Sequence, residues 1–155
     1  MDLLKVGGPV EGAATKQYIV VKLQNEQYGI NIKYIDNIVR MQTITRVPMS
    51  QSYFTGIINL RGEIVPVMSL RKKFGLPDDE YTHSSRIIIV KPEPQATVGF
   101  IVDAVKEVVT LSDAEIEKNN VAENEVPYIS AVGKHEGELI SLLSINTVLS
   151  EKEQA

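Results

Sequence analysis

"YFTGIINLRGEIVPVMSLRKKF", residues 53–74, lies without a gap over "YISAVGKHEGELISLLSINTVL", residues 128–149. Tyr53/Tyr128, Gly62/Gly137, Glu63/Glu138 and Ser69/Ser144 are identical pairs, and apolar positions match through the second strand of each block. Upstream, "YGINIKYIDNIV" (28–39) lies over "VGFIVDAVKEVV" (98–109), placing Gly29 on Gly99, Ile35 on Val105 and Ile38-Val39 on Val108-Val109. The offset changes from 70 to 75 between the blocks, so only the intervening loop differs in length. Any two β-rich stretches with glycine turns can be aligned, and four identities alone do not decide. Two ungapped blocks in the same order favour an internal duplication.

The copies act as controls for each other. In each, a glycine (Gly62 or Gly137) supplies the positive φ that a tight hairpin needs. The residue before it is Arg61 in one copy and Glu136 in the other, so turn geometry does not dictate the arginine. The flanks differ too: "GIINL" is apolar and "AVGKH" polar. A solvated turn residue is the plain reading of Arg61. Arginine among Ile58, Leu60 and Ile64 also has the composition of an interface hot spot, a planar donor fork on a stem that can be buried.

Outward from these blocks, short Val- and Ile-rich runs read as strands: Tyr18–Leu23, Tyr53–Leu60, Glu63–Ser69, Arg86–Val90, Thr97–Asp103 and Glu138–Ser144. Close spacing without long helical periodicity predicts an all-β sandwich or barrel. Pro66 predicts an edge or a bulge, since proline donates nothing to a ladder. Ser69 and Ser144 stand where they would cap short closing helices, and Gly75 stands just past the end of the first. The expected organisation is a flexible leader over 1–16, one domain of two β-units over 17–150, and a solvated tail over 151–155.

Among the 155 residues there is no cysteine. That excludes disulfides, thiolate zinc and thiol catalysis, and fits a reducing cytoplasm. A net charge of −4 gives no global field for nucleic acid or anionic membrane. The first fifteen residues lack a signal peptide's basic and apolar regions, and no apolar run approaches the ~18 residues of a membrane span.

Chemistry is sparse. His83 and His135 have no third ligand spaced near either, so solvated loop positions are expected. "LPDDEYTHSS" (76–85) reads as a solvated charge run. Asp103 and Glu107 could be paired carboxylates, but their copies are Lys33 and Asn37. The "RKK" at 71–73 is too small for a nucleic-acid platform. No cofactor, metal site or catalytic group is implied, and a binding module is the better reading.

"YFTGIINLRGEIVPVMSLRKKFGLP" resembles the signature of the chemotaxis coupling protein CheW family, roughly G-V-I-N-L-R-G-x-I-V-P-V-I-D-L-R-x-x-F. The likeness continues through "YGINIKYIDNIVR", "RIIIV", "VGFIVDAVKEVVTLSDAEI" and "ELISLLSINTVL", covering about residues 17 to 150. The resemblance implies two intertwined five-stranded SH3-like barrels and a non-enzymatic scaffold. It further implies two partners, the cytoplasmic helical hairpin of chemoreceptors and the regulatory domain of the histidine kinase CheA, and a cytoplasmic location in association with receptor arrays, with no nucleic acid bound and no direct insertion into the membrane. Receptor-facing positions carried over are Ile35, Ile38, Gly56, Asn59, Leu60, Arg61 and Gly62, with Val98 and Gly99 as neighbours. A kinase-facing surface is implied on the other barrel, without assigned residues. Ser69 and Ser144 stand where the family often has aspartate, and Asn37 where it often has glutamate. The alternatives are a coupling module of a related signalling system and a small-ligand-binding or enzymatic β-barrel.

Overall fold

The computed structural model describes residues 15–48, 51–93, 96–118 and 128–149. The segments expected to be leader and tail lie outside these, apart from the start of the first strand. In chain order the elements are β1 (Thr15–Leu23), β2 (Glu26–Asn31), β3 (Ile35–Arg40), β4 (Phe54–Leu60), β5 (Glu63–Ser69) and α1 (Leu70–Lys73). Then come β6 (Arg86–Glu93), β7 (Ala96–Val102), β8 (Ala104–Ser112), β9 (Ile116–Lys118), β10 (Ile129–His135), β11 (Glu138–Leu143) and α2 (Ile145–Leu149). Among the described residues the fold is all-β with two short α-helices, as the sequence predicts, and two single 3-10 turns at Ile32–Tyr34 and Asp113–Glu115.

Strand pairing exchanges the two halves. One sheet runs β8-β1-β2-β11-β10-β9 and the other β3-β6-β7-β5-β4. Under the duplication β6 and β7 are copies of β1 and β2, β8 of β3, and β10 and β11 of β4 and β5. Both sheets therefore have one order, two leading strands of one copy joined to three strands of the other. The short β9 is an addition to the first. Registers agree residue by residue. Val20 faces Gly29 as Ile89 faces Gly99, and Leu142 lies parallel beside Gly29 as Val67 lies beside Gly99. Equivalent bulges leave Lys106 out of the β1–β8 ladder and Asp36 out of the β3–β6 ladder.

The apolar runs are continuous because both faces of these strands are covered. Along β6, Ile87 and Ile89 point into one barrel with Ile58, Val65, Val67 and Ile101. Ile88 and Val90 point the other way, into a core between the barrels with Ile19, Val21, Phe100 and Leu143. A third cluster, Tyr18, Val20, Leu111 and Leu142 among it, fills the other barrel. The core between the barrels draws on both copies, so neither half can close it alone.

Two local expectations need correction. β5 lies between β7 and β4, so Pro66 is not on an edge strand. Its missing N–H is harmless because the β5–β7 ladder begins only at Val67. Within the "RKK", Arg71 pairs with Asp103, and Lys73 is buried with its ammonium 4.1 Å from the Tyr53 ring centre. The acidic loop is not simply solvated, since the Ser69 hydroxyl donates to Asp79 Oδ2 at 2.5 Å.

The helix caps agree with the sequence. The Lys72 amide donates to Ser69 Oγ at 3.1 Å and the Thr147 amide to Ser144 Oγ at 3.4 Å. Leu76 N–H bonds the Arg71 carbonyl and Gly75 N–H the Lys72 carbonyl, the paired closure that a left-handed glycine permits.

Candidate functional site

Both hairpin tips have two consecutive residues at positive φ. Arg61 is at 56° and Gly62 at 87°, and Glu136 is at 51° and Gly137 at 82°. This is the turn whose twist matches the flanking strands. Asn59 braces the first tip, its Oδ1 accepting from the Gly62 amide at 2.9 Å. Arg61 is thus held in a left-handed conformation that costs a β-carbon-bearing residue energy. Its side chain is exposed and has no ion pair or hydrogen bond among the described residues.

The apolar surroundings expected for Arg61 are mostly turned inward. Ile58 is buried in the barrel, and Leu60 is half-buried against the same interior. Ile64, 56% exposed and directly opposite Asn59, is the apolar residue presented at the tip.

Ile35 and Ile38 lie on β3, half-buried against the core between the barrels together with Val98 and Phe54. Between them Asp36 occupies the bulge, its carboxylate 4.0 Å from the Lys91 ammonium. Asn37 turns its Oδ1 onto the Ile38 amide at 2.8 Å, an acceptor's use of the position where the family often has glutamate.

β3 and β4 are the two end strands of the five-stranded sheet. The chain leaving β3 brings them together, since Thr45 exchanges two backbone hydrogen bonds with Ile57, 2.8 and 2.9 Å long. Gly56 permits that crossing, because a Cβ there would collide with the Thr45 carbonyl oxygen.

Two glycines carried over by resemblance are therefore packing residues. Gly56 is buried under Thr45. Gly99 is buried too, and a Cβ on it would stand 2.7 Å from Ile87 Cγ2. Neither offers surface to a partner. Exposed or half-exposed positions remain at Ile35, Ile38, Val98, Asn59, Leu60, Arg61 and Gly62. Sequence reasoning missed Ile64 as the tip's presented apolar residue, although its alternation with buried Val65 was the available signal.

Two strand-exchanged barrels around a shared core, with Arg61 exposed on a hairpin turn and unpaired among the described residues, make up a β-barrel module. The comparisons name its kind. The CheW-like domain model matches residues 17–153, and the chain belongs to the CheW family, a family of chemotaxis scaffold and adaptor proteins rather than enzymes. It is 34% identical over 139 residues to the chemotaxis protein CheW of Bacillus subtilis (strain 168), covering 88% of each chain. It is 31% identical to that of Thermotoga maritima, covering 89% of this chain and 91% of the relative. The crystal structure of the scaffolding protein TtCheW from Thermoanaerobacter tengcongensis superposes with a TM-score of 0.80 at 31% identity, over 88% of this chain and 94% of that one. Among the described residues no helix is long and apolar enough to cross a membrane.

Proposed function

We propose that the chain couples the cytoplasmic helical hairpin of chemoreceptors to the regulatory domain of the histidine kinase CheA, acting in the cytoplasm within receptor arrays. The observation that carries this reading is Arg61. It sits on a braced turn, in a conformation unfavourable for arginine, with its donor fork unpaired. A receptor helix would lay an apolar stripe across Ile35, Ile38 and the half-exposed end of β4. Arg61 would reach a carboxylate or helix-end carbonyls and fix the register, with Ile64 alongside. Kinase contact belongs to the other barrel, following the family resemblance. Single contacts of micromolar strength, about −8 kcal/mol, gain avidity from repetition in an array.

The test is an amide-shift titration of the labelled chain with a receptor cytoplasmic hairpin fragment, then with the kinase regulatory domain. The receptor fragment should move resonances of β3 and the 59–64 turn, and the kinase domain those of the six-stranded sheet. Shifts from the receptor fragment centred on the 134–139 turn instead would refute the assignment.

A further inference from the structure

A cavity of about 210 Å³ opens beside the six-stranded sheet, where β1, the end of β2 and the start of α2 meet. Lys16, Asn31, Lys33, Ser144 and Asn146 line it, and no acidic side chain does. The strand registers identify the same place in the other barrel: Lys16 corresponds to Ser85, Lys33 to Asp103, Ser144 to Ser69 and Asn146 to Arg71.

In that counterpart an acidic stretch of the chain is bound. Asp79 accepts the Ser69 hydroxyl at 2.5 Å. Arg71 Nη1 donates to the carbonyls of Pro77 and Asp78 at 3.3 and 3.2 Å. Ser85 Oγ accepts from the Thr82 amide at 2.9 Å. The remainder of the Arg71 fork is taken up by Asp103.

Charge at the cavity differs in one direction. The counterpart's four positions carry Arg71 and Asp103, which cancel, whereas the cavity's carry two lysines and no acid. Asn31 Oδ1 is occupied by the Lys33 amide at 3.0 Å, which turns its NH₂ donors toward other acceptors. The Ser144 hydroxyl donates to Thr147 Oγ1 at 3.0 Å and can rotate to a carboxylate, as Ser69 does to Asp79. A place that holds an acidic segment at zero net charge is here rebuilt with two cations.

We propose that this cavity docks an acidic peptide segment of a partner protein, its carboxylates bound by Lys16, Lys33 and the Ser144 hydroxyl. The chain's own Asp78–Glu80 stretch does not compete for it, being held in the other barrel. The site lies on the sheet opposite the one that carries Arg61, so it stands independently of the receptor reading.

The probe is a capped peptide, LPDDEYT, copied from residues 76–82, titrated into the labelled full-length chain. Saturable amide shifts are expected at Lys16, Asn31, Lys33, Ser144 and Asn146 at peptide concentrations up to ~1 mM. Lys16→Glu and Lys33→Glu together should weaken binding at least tenfold, with the remaining spectrum confirming the fold of these surface variants. Added salt should weaken it too, since the pair is solvent-accessible. The uncharged peptide LPNNQYT should not bind. No shifts, shifts centred elsewhere, equal binding of the uncharged peptide, or insensitivity to both lysine changes would each overturn the proposal.

Discussion

Arg61 and Glu136 occupy one backbone conformation with opposite charges, so left-handed strain alone does not mark a functional residue. Arg61 has no partner for its charge among the described residues, while Glu136 has the His135 imidazole 3.7 Å away, an ion pair only when that ring is protonated. Replacing Arg61 by asparagine, which tolerates positive φ, should stabilise the chain by about 0.5 kcal/mol while removing receptor binding. A fall in the urea midpoint would contradict the turn assignment. Gly62→Val should cost about 1–3 kcal/mol, because a branched residue resists φ of 87°. Unchanged stability would contradict it. Gly62 and Gly137 were legible in sequence as turn glycines, since two copies of one hairpin share them. The left-handed Arg61 was not, because conformational preference disfavours arginine there and the bracing by Asn59 is visible only in three dimensions.

At the scale of elements, the connection from α1 to β6 carries the pH dependence. Burial above all raises the Asp79 pKa, against the Ser69 hydrogen bond and the Arg71 charge, and its Oδ1 is buried without a partner. Ionised Asp79 therefore costs stability at neutral pH, and protonation as pH falls through the raised value restores it. Asp103 has the opposite sign. Burial opposes its ionisation, but hydrogen bonds from Arg71 and the Gln24 amide, with the Arg71 and Lys22 charges, hold its pKa below the usual value. Its contribution is complete above the ordinary aspartate range and is lost as pH falls through the depressed one. On acidification stability should first rise, then fall. Asp79→Asn should abolish the rise. Asp103→Asn should cost about 2 kcal/mol at neutral pH and lessen the fall, leaving the part that belongs to Glu138, whose pKa is lowered by Gln27 and Lys106. Urea midpoints at neutral pH, within the carboxylate range and below it would show this, and a wild-type curve that only falls would contradict the Asp79 assignment. Neither group was legible. An acid run in a proline-containing loop looks solvated, and Ser69 and Arg71 lie beyond a helix cap from the carboxylate they serve. The caps themselves were legible, because serine before and glycine after a short helix act locally.

At the scale of the molecule, each barrel takes two strands from one copy and three from the other. A fragment of residues 1–80 or 81–155 should then lack a cooperative unfolding transition, and mixing the two should restore the native spectrum. Independent folding of either half would contradict the exchange. The duplication was legible because it repeats residues. The exchange came only through family resemblance, since β2 pairs with a strand over 100 residues away and nothing local records that choice. The paired glycines, Gly29 beside Leu142 and Gly99 beside Val67, were its trace in the sequence. The same two-copy construction supplies the most direct test of the central claim, that the arginine-bearing turn is presented for a partner. Affinity for a receptor cytoplasmic hairpin should be measured for Arg61→Ala and Glu136→Ala in parallel. The account predicts a loss of at least ~1.4 kcal/mol, tenfold, for the first and none for the second, with thermal stability of both nearly unchanged. Equal affinities for the two variants, or a loss for Arg61→Ala that tracks a lowered melting temperature, would contradict it.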